Sequence, residues 1–318
     1  MARVLSCAVA LVALLSCINC QPADSAPSAR GGVIRARLVT GPVGGGSLPL
    51  GEEIARALTR GMKDVEIETV HSAGAVSNIR AIQRGDAELA LTFADVAYLS
   101  FSGQLAPRDP PFDQVRGIAV LQVTPVALVV RPGLHVRGPQ DLRGRHVGVG
   151  PEGSGTAVTA SLILQAYGLE AKDLRIETIG FQEGVTKLLN GELDAMFDNA
   201  IIRSQALSRA AEGGARFVPI EGPAADRLRR EYPFLRVTVI PSELYGTSVR
   251  TIGVDGLLIC RSDLDETLVY ELTKQLFASL KSLGRGALRS MDVKEAPGTP
   301  VPLHPGAARY YRERELSR

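Results

Sequence analysis

Tryptophan is absent from this 318-residue chain, and Phe and Tyr together supply only 5% of it. Such a composition weighs against a carbohydrate groove walled by aromatic rings. The four histidines (His71, His135, His146 and His304) are scattered, with no pair at metal-ligand spacing and no Cys nearby, so no metal centre is expected. Of the four cysteines, Cys7, Cys17 and Cys20 sit near the N-terminus, and Cys260 ends the apolar run Gly256-Leu257-Leu258-Ile259-Cys260. Cys260 reads as a small core residue, and no disulfide scaffold is implied. Acidic and basic residues nearly cancel, 36 Lys and Arg against 34 Asp and Glu, which excludes the basic excess of a dedicated nucleic-acid binder. No apolar run approaches the roughly 18–20 residues of a membrane-spanning helix.

What is present is ordinary globular composition, with 22% charged and 45% hydrophobic residues. The length allows two core-forming units, because single cores stop growing near about 250–300 residues. The start of the chain reads as an address. Met1-Ala2-Arg3 gives a positive beginning, and residues 4–15 are apolar apart from Ser6, the pattern of a signal peptide over residues 1–16. Leu14-Leu15-Ser16-Cys17 has the form of a lipobox, which would make Cys17 the lipidated residue. Cleavage near Ala26 or Ala29, releasing a soluble chain, is the other reading. Residues 17–32, rich in Ala, Pro, Ser and Gly, follow as a tether. The expected location is the periplasm or cell exterior, as a membrane-anchored lipoprotein.

From Val33 onward, strand-like and helix-like patterns alternate. Ile34, Ala36 and Leu38 alternate with Arg35 and Arg37 as in a half-buried strand, and Pro49 suits the first turn of a helix reaching Leu58. Residues 65–70 form a second strand. Val76, Ile79 and Ile82 mark a helical stripe ending before Gly85, and residues 89–93 are a third, fully buried strand. The phrase then recurs. Gly41-Pro42-Val43-Gly44-Gly45-Gly46-Ser47 and Gly150-Pro151-Glu152-Gly153-Ser154-Gly155-Thr156 are related by an offset of 109, as are Ile67-Glu68-Thr69 and Ile176-Glu177-Thr178.

The fold class expected is α/β: two similar lobes with mostly parallel sheets, joined by a two-crossing hinge. Residues 33–130 with 241–318 would form lobe I, and residues 131–240 lobe II. Residues 126–130 would lead into the second lobe and residues 235–240 back, with a helix over residues 264–283 completing the first. In such sheets, ligands lie beyond the carboxyl ends of strands, where loops meet helix N-termini.

Gly153-Ser154-Gly155-Thr156, opening a helix over residues 157–167, is the strongest chemical signal. Glycines allow a close backbone approach, and free amides at a helix start favour an anion. Ser154, Gly155 and Thr156 are therefore candidates for a carboxylate, with Gly46 and Ser47 as their first-lobe counterparts; an N-cap and tight turn without a ligand is the alternative. Ser72, Ser77 and Asn78 open the next helix and are candidates for the ligand's opposite end. Asp95, Asp198 and Asn199 end third strands, where they could accept from an ammonium or hydroxyl, or cap the following helix.

Neither glycine loop is followed by the Lys-Ser/Thr pair of a phosphate-binding loop, and neither carries a dinucleotide fingerprint. Ser154 lacks the flanking glycines of a hydrolase elbow, since Glu152 and Thr156 stand there. No nucleophile, base and oxyanion site assemble, so no enzyme, no catalytic residue and no cofactor is expected.

The segment Pro302-Leu303-His304-Pro305-Gly306-Ala307-Ala308-Arg309-Tyr310-Tyr311-Arg312-Glu313 resembles the C-terminal signature of the TAXI family of TRAP transporter solute-binding proteins. Ser72-Ala73-Gly74, Gly85-Asp86-Ala87-Glu88-Leu89, Asp95-Val96-Ala97-Tyr98, Asp141-Leu142-Arg143-Gly144, Val149-Gly150-Pro151-Glu152-Gly153-Ser154-Gly155-Thr156 and Gly191-Glu192-Leu193-Asp194-Ala195 fit in the same order. The resemblance spans residues 40–313. It implies a type II periplasmic-binding-protein fold that captures a small organic acid or amino acid between its lobes and delivers it to a TRAP-type membrane permease. The partners implied are a small anionic or zwitterionic solute, that permease and, through Cys17, the membrane. A ligand-sensing receptor serving a signalling partner is the alternative. This chain has Ser47-Leu48 where the family usually carries an aromatic pair, and Asp198-Asn199-Ala200-Ile201 where an apolar stretch is common. Both departures weigh against glutamate-like specificity.

Overall fold

The computed structural model describes residues 32–42, 45–106, 109–199, 204–280 and 291–316. The signal peptide, Cys17 and most of the tether lie outside the described residues, as do Gly44, Ala200 and Ile201. The chain from Val33 on alternates strands and helices: β1 (Ile34–Val39), α1 (Ser47–Gly61), β2 (Val65–Val70), α2 (Ala75–Arg84), β3 (Leu89–Phe93), α3 (Ala94–Phe101) and β4 (Val115–Val130). Next come β5 (His146–Gly148), α4 (Gly155–Ala166), β6 (Arg175–Glu177), α5 (Phe181–Asn190), β7 (Ala195–Asn199), α6 (Gln205–Glu212) and β8 (Arg216–Val218). The remainder is α7 (Pro223–Glu231), β9 (Leu235–Ile240), α8 (Ser242–Tyr245), β10 (Val249–Arg261), α9 (Glu266–Ser279) and α10 (Pro305–Leu316).

The local signals explain these elements. Leu50, Ile54 and Leu58 recur at helical spacing on α1 and are all buried against a cluster that includes Leu268, Leu272 and Leu276 of α9. On α2, Val76, Ile79 and Ile82 do the same, and Gly85 ends the helix in the left-handed region at φ 76°. All five residues of β3 are buried, as its unbroken apolar run requires.

The strands form one mixed α/β sheet in the order β2-β1-β3-β10-β4-β7-β5-β6, with β8 added on β4 and β9 on β10. Strands linked through helices pair in parallel: β1 with β2 and β3, and β5 with β6 and β7. The two long strands run antiparallel between these groups. β4 pairs with β10 through residues 115–125, then with β7 and β8 through residues 126–130. Residues 126–130, read from sequence as the end of the first lobe and the lead into the second, pair with strands of the second group. The β4–β10 ladder shifts register between Gly256 and Leu257 and again between Leu258 and Ile259.

The C-terminal signature is structural. His304 is buried, its Nε2 meets the Leu264 carbonyl at 3.1 Å, and its Nδ1 accepts the Gly306 amide at 3.2 Å. The Tyr311 hydroxyl donates to the Ile118 carbonyl at 2.8 Å, fastening α10 to β4.

Candidate ligand-binding site

Ser154 is the N-cap of α4, and its Oγ accepts the Ala157 amide at 3.4 Å. Gly155 and Thr156 occupy the first two positions of the helix, whose amides have no partner within the helix. Their segment must come very close to the other strand group. A Cβ on Gly155 would run into the Phe93 ring at the end of β3 and lie 3.0 Å from Ala75 Cβ. Only glycine lets the start of α4 settle there.

The approach is closer still at Gly153. Its carbonyl accepts the amides of Val76 at 3.1 Å and Ser77 at 3.3 Å, so the first turn of α2 is capped by a backbone oxygen from the other strand group. Gly153 is held at φ 78°, and a Cβ there would lie 2.5 Å from Ser77 Oγ.

These contacts wall a cavity of about 50 Å³. Gly45, Gly46 and Ser47 at the start of α1 line one side, with Ala73, Gly74 and Ala75 before and at the start of α2. Ser154, Gly155 and Thr156 face them, Phe93 and Phe181 supply aromatic surface, and Gly256 and Leu257 come from the irregular part of β10. Asp198, Asn199 and Ser204 complete the lining; none of the described lining residues is Lys, Arg or His.

Asp198 is 4% exposed, and its Oδ2 accepts the Ser204 hydroxyl at 3.0 Å. Ser204 Oγ in turn accepts the Leu207 amide as N-cap of α6. Burial pushes the Asp198 carboxyl up to about 7, with no cation beside it among the described residues; the Ser204 bond opposes this only in part. Asn199 donates its Nδ2 to Thr159 Oγ1 at 2.8 Å, and its backbone amide meets Thr156 Oγ1 at 3.4 Å. Its Oδ1 is buried and has no hydrogen-bond partner among the described residues. Thr159 Oγ1 also reaches Asp95 Oδ2 at 2.5 Å. Asp95 is wholly buried, and desolvation raises its carboxyl to about 6 against the bonds from Thr159 and the Val96 amide.

The structure brings Gly46, Ser47, Ser154, Gly155, Thr156, Asp198 and Asn199 to one cavity. Ser72, Ser77, Asn78 and Asp95 do not line it. Asn78 is fully buried and donates to the Thr40 carbonyl at 2.5 Å and the Leu91 carbonyl at 2.6 Å, while its Oδ1 accepts the Ser72 hydroxyl. Its amide ties β1, β3 and α2 together, and an amide with both ends engaged within the protein has little left for a solute. Sequence reasoning missed Thr159, Ser204, Gly256 and Leu257. Ser204 carries an N-cap signal that could have drawn notice; the β10 pair carries none, because only strand pairing puts it at the cavity.

The NMT1-like family profile matches residues 38–314. The chain belongs to the NMT1-like family. Its architecture is also that of solved periplasmic binding proteins. The alkanesulfonate-binding protein SsuA from Xanthomonas axonopodis pv. citri, bound to MOPS, gives a TM-score of 0.51 at 15% identity, over 89% of this chain and 85% of that one. A structure described as a periplasmic transporter gives 0.55 at 15% identity, over 91% and 96%. A Xanthomonas citri protein bound to ATP gives 0.52 at 14% identity, over 88% and 94%. At such identities the likeness is one of fold. The ligands named for these neighbours, a sulfonate buffer and a nucleotide, are chemically far apart, so the fold leaves the ligand open. Among the described residues, no helix is long and apolar enough to cross a membrane.

Proposed function

We propose that this NMT1-like protein is an extracytoplasmic solute-binding receptor that closes on a small organic acid or amino acid and delivers it to a TRAP-type permease. The observation that carries the reading is the convergence of two helix starts on one cavity, α1 at Gly46 and Ser47 and α4 at Gly155 and Thr156, from opposite strand groups. Unpartnered first-turn amides replace water around a carboxylate, and the helix dipoles favour the negative charge. Residues 33–130 with 241–318 act as one lobe and residues 131–240 as the other. A ligand touching both favours the closed form, since only differential contact shifts such an equilibrium. No covalent step is required of any residue.

The TAXI-like C-terminal segment supports the permease partner, and the lipobox supports anchoring through Cys17. In a bacterial host, wild-type protein should partition with membranes, and Cys17→Ala should release it to the soluble fraction. The receptor reading is tested by thermal-shift and calorimetric screening against amino acids, monocarboxylates, dicarboxylates and sulfonates. A ligand at a hundredfold excess over its Kd should add about 2.7 kcal/mol of stability. Absence of a shift with every small acid would overturn it.

A further inference from the structure

Thr159 lies on α4 outside the cavity, and its single hydroxyl proton faces more acceptors than it can serve. The Asp95 carboxylate stands 2.5 Å away and the Gly155 carbonyl 3.0 Å away. Both are acceptors when Asp95 is ionised, so the proton goes to one of them, and the side chain 2.8 Å away on Asn199 must donate to the Thr159 oxygen. Were Asp95 protonated and donating, the Thr159 proton would be free to turn to the Gly155 carbonyl or to an Asn199 oxygen, so it is the ionised Asp95 that holds the Asn199 amide with its nitrogen on Thr159. Its oxygen is the unpartnered buried atom beside Asp198, whose carboxylate also lines the cavity.

We propose that Thr159, backed by Asp95, is a specificity-determining positioning residue that locks the Asn199 amide so that its oxygen, beside the Asp198 carboxylate, takes a hydrogen-bond donor from the solute. The proposal rests on the receptor reading and deepens it. Asp95 comes from the first strand group and Thr159 and Asn199 from the second, so the contact that directs the Thr159 proton spans the two groups. A solute bound with acceptors on the α4 amides must then offer N–H or O–H to the adjoining Asp198 and Asn199 oxygens. A second carboxylate there would face Asp198 and the Asn199 oxygen with no proton to share.

The test is calorimetry on the whole protein at pH 8 with three matched probes: 2-aminobutyrate, 2-hydroxybutyrate and succinate. The amino or the hydroxy acid should bind at least tenfold more tightly than succinate. Thr159→Val frees the Asn199 amide to rotate and should shrink that preference at least threefold, whereas Thr159→Ser, which keeps the hydroxyl, should restore it. Nitrogen-15 spectra give a readout independent of solute: the Asn199 side-chain amide protons should be protected from exchange in wild type and Thr159→Ser, and exposed in Thr159→Val. Succinate binding as tightly as the others, or unchanged amide protection in Thr159→Val, would overturn the proposal while leaving the receptor reading intact. Silence with all three probes would overturn the donor-selective cavity, and the wider acid screen would decide the receptor reading separately.

Discussion

The carbonyl oxygen of Gly153 accepts the amide of Ser77 at 3.3 Å, joining the loop after β5 to the first turn of α2. The bond crosses between the two groups of parallel strands and sits beside the cavity. It occupies the backbone amide of Ser77, a residue whose side chain is a ligand candidate by sequence, and so makes the helix start a clasp between halves. A hinge that opens the cleft must break it.

Replacing Gly153 attacks this clasp directly. At φ 78° an alanine is strained by about 1–2 kcal/mol, and its methyl would press on Ser77 Oγ. Gly153→Ala should therefore lower unfolding stability by at least that amount in denaturant titration, and Gly153→Val by more. A Gly153→Ala protein as stable as wild type would show that the two loops do not stay docked in solution.

Asn78→Ala should be costly for a different reason. It leaves the Thr40 and Leu91 carbonyls unpaired in the core, at about 1–3 kcal/mol each. Ser72→Ala removes two neutral bonds, the one its hydroxyl donates to Asn78 Oδ1 and the one it accepts from the Gly74 amide, and should cost about 1–2 kcal/mol. Equal small losses for both variants, measured by urea unfolding, would contradict the structural role assigned to the Asn78 amide.

The two buried carboxyls set a pH dependence of definite sign. Asp95 and Asp198 titrate near 6 and 7 in the folded protein, against an ordinary value of 3.8. Between those values the folded chain binds more protons than the unfolded one, so stability falls as pH rises. Their contribution is whole below the ordinary value and lost once pH passes about 7. Asp198→Asn should raise the Tm at pH 8 more than at pH 5. A uniform change at both pH values would mean that the Asp198 carboxyl is not buried without a counterion.

His304 works in the opposite direction. Desolvation holds its imidazole below the usual histidine value, so the unfolded chain protonates first and acidification costs stability. The neutral ring donates from Nε2 to Leu264 and accepts at Nδ1 from Gly306. His304→Ala should lose about 2–4 kcal/mol by leaving both groups unpaired and opening a void, and the decline of stability below pH 6.5 should become shallower. Hydrogen exchange should locate the loss at α10, which this contact anchors.

The amino-acid sequence by itself determined the alternation of strands and helices, the glycine-rich helix starts and the acidic strand end at Asp198. These follow from short-range rules: side chains three and four apart share a helix face, and glycine or serine at a helix start satisfies or frees the nearby amides. The tertiary structure alone decided which polar groups face solute and which face protein. Asn78 on α2 and Asp198 at the end of β7 are both buried polar residues, yet one amide is spent on two carbonyls and one carboxylate is left at a cavity wall. Gly256 and Leu257 reach that wall only because β10 pairs with β4 and β3, and Thr159 reaches Asp95 only because α4 packs on α3. Contacts between residues so distant along the chain leave no periodic mark in it, because they depend on how the two strand groups dock.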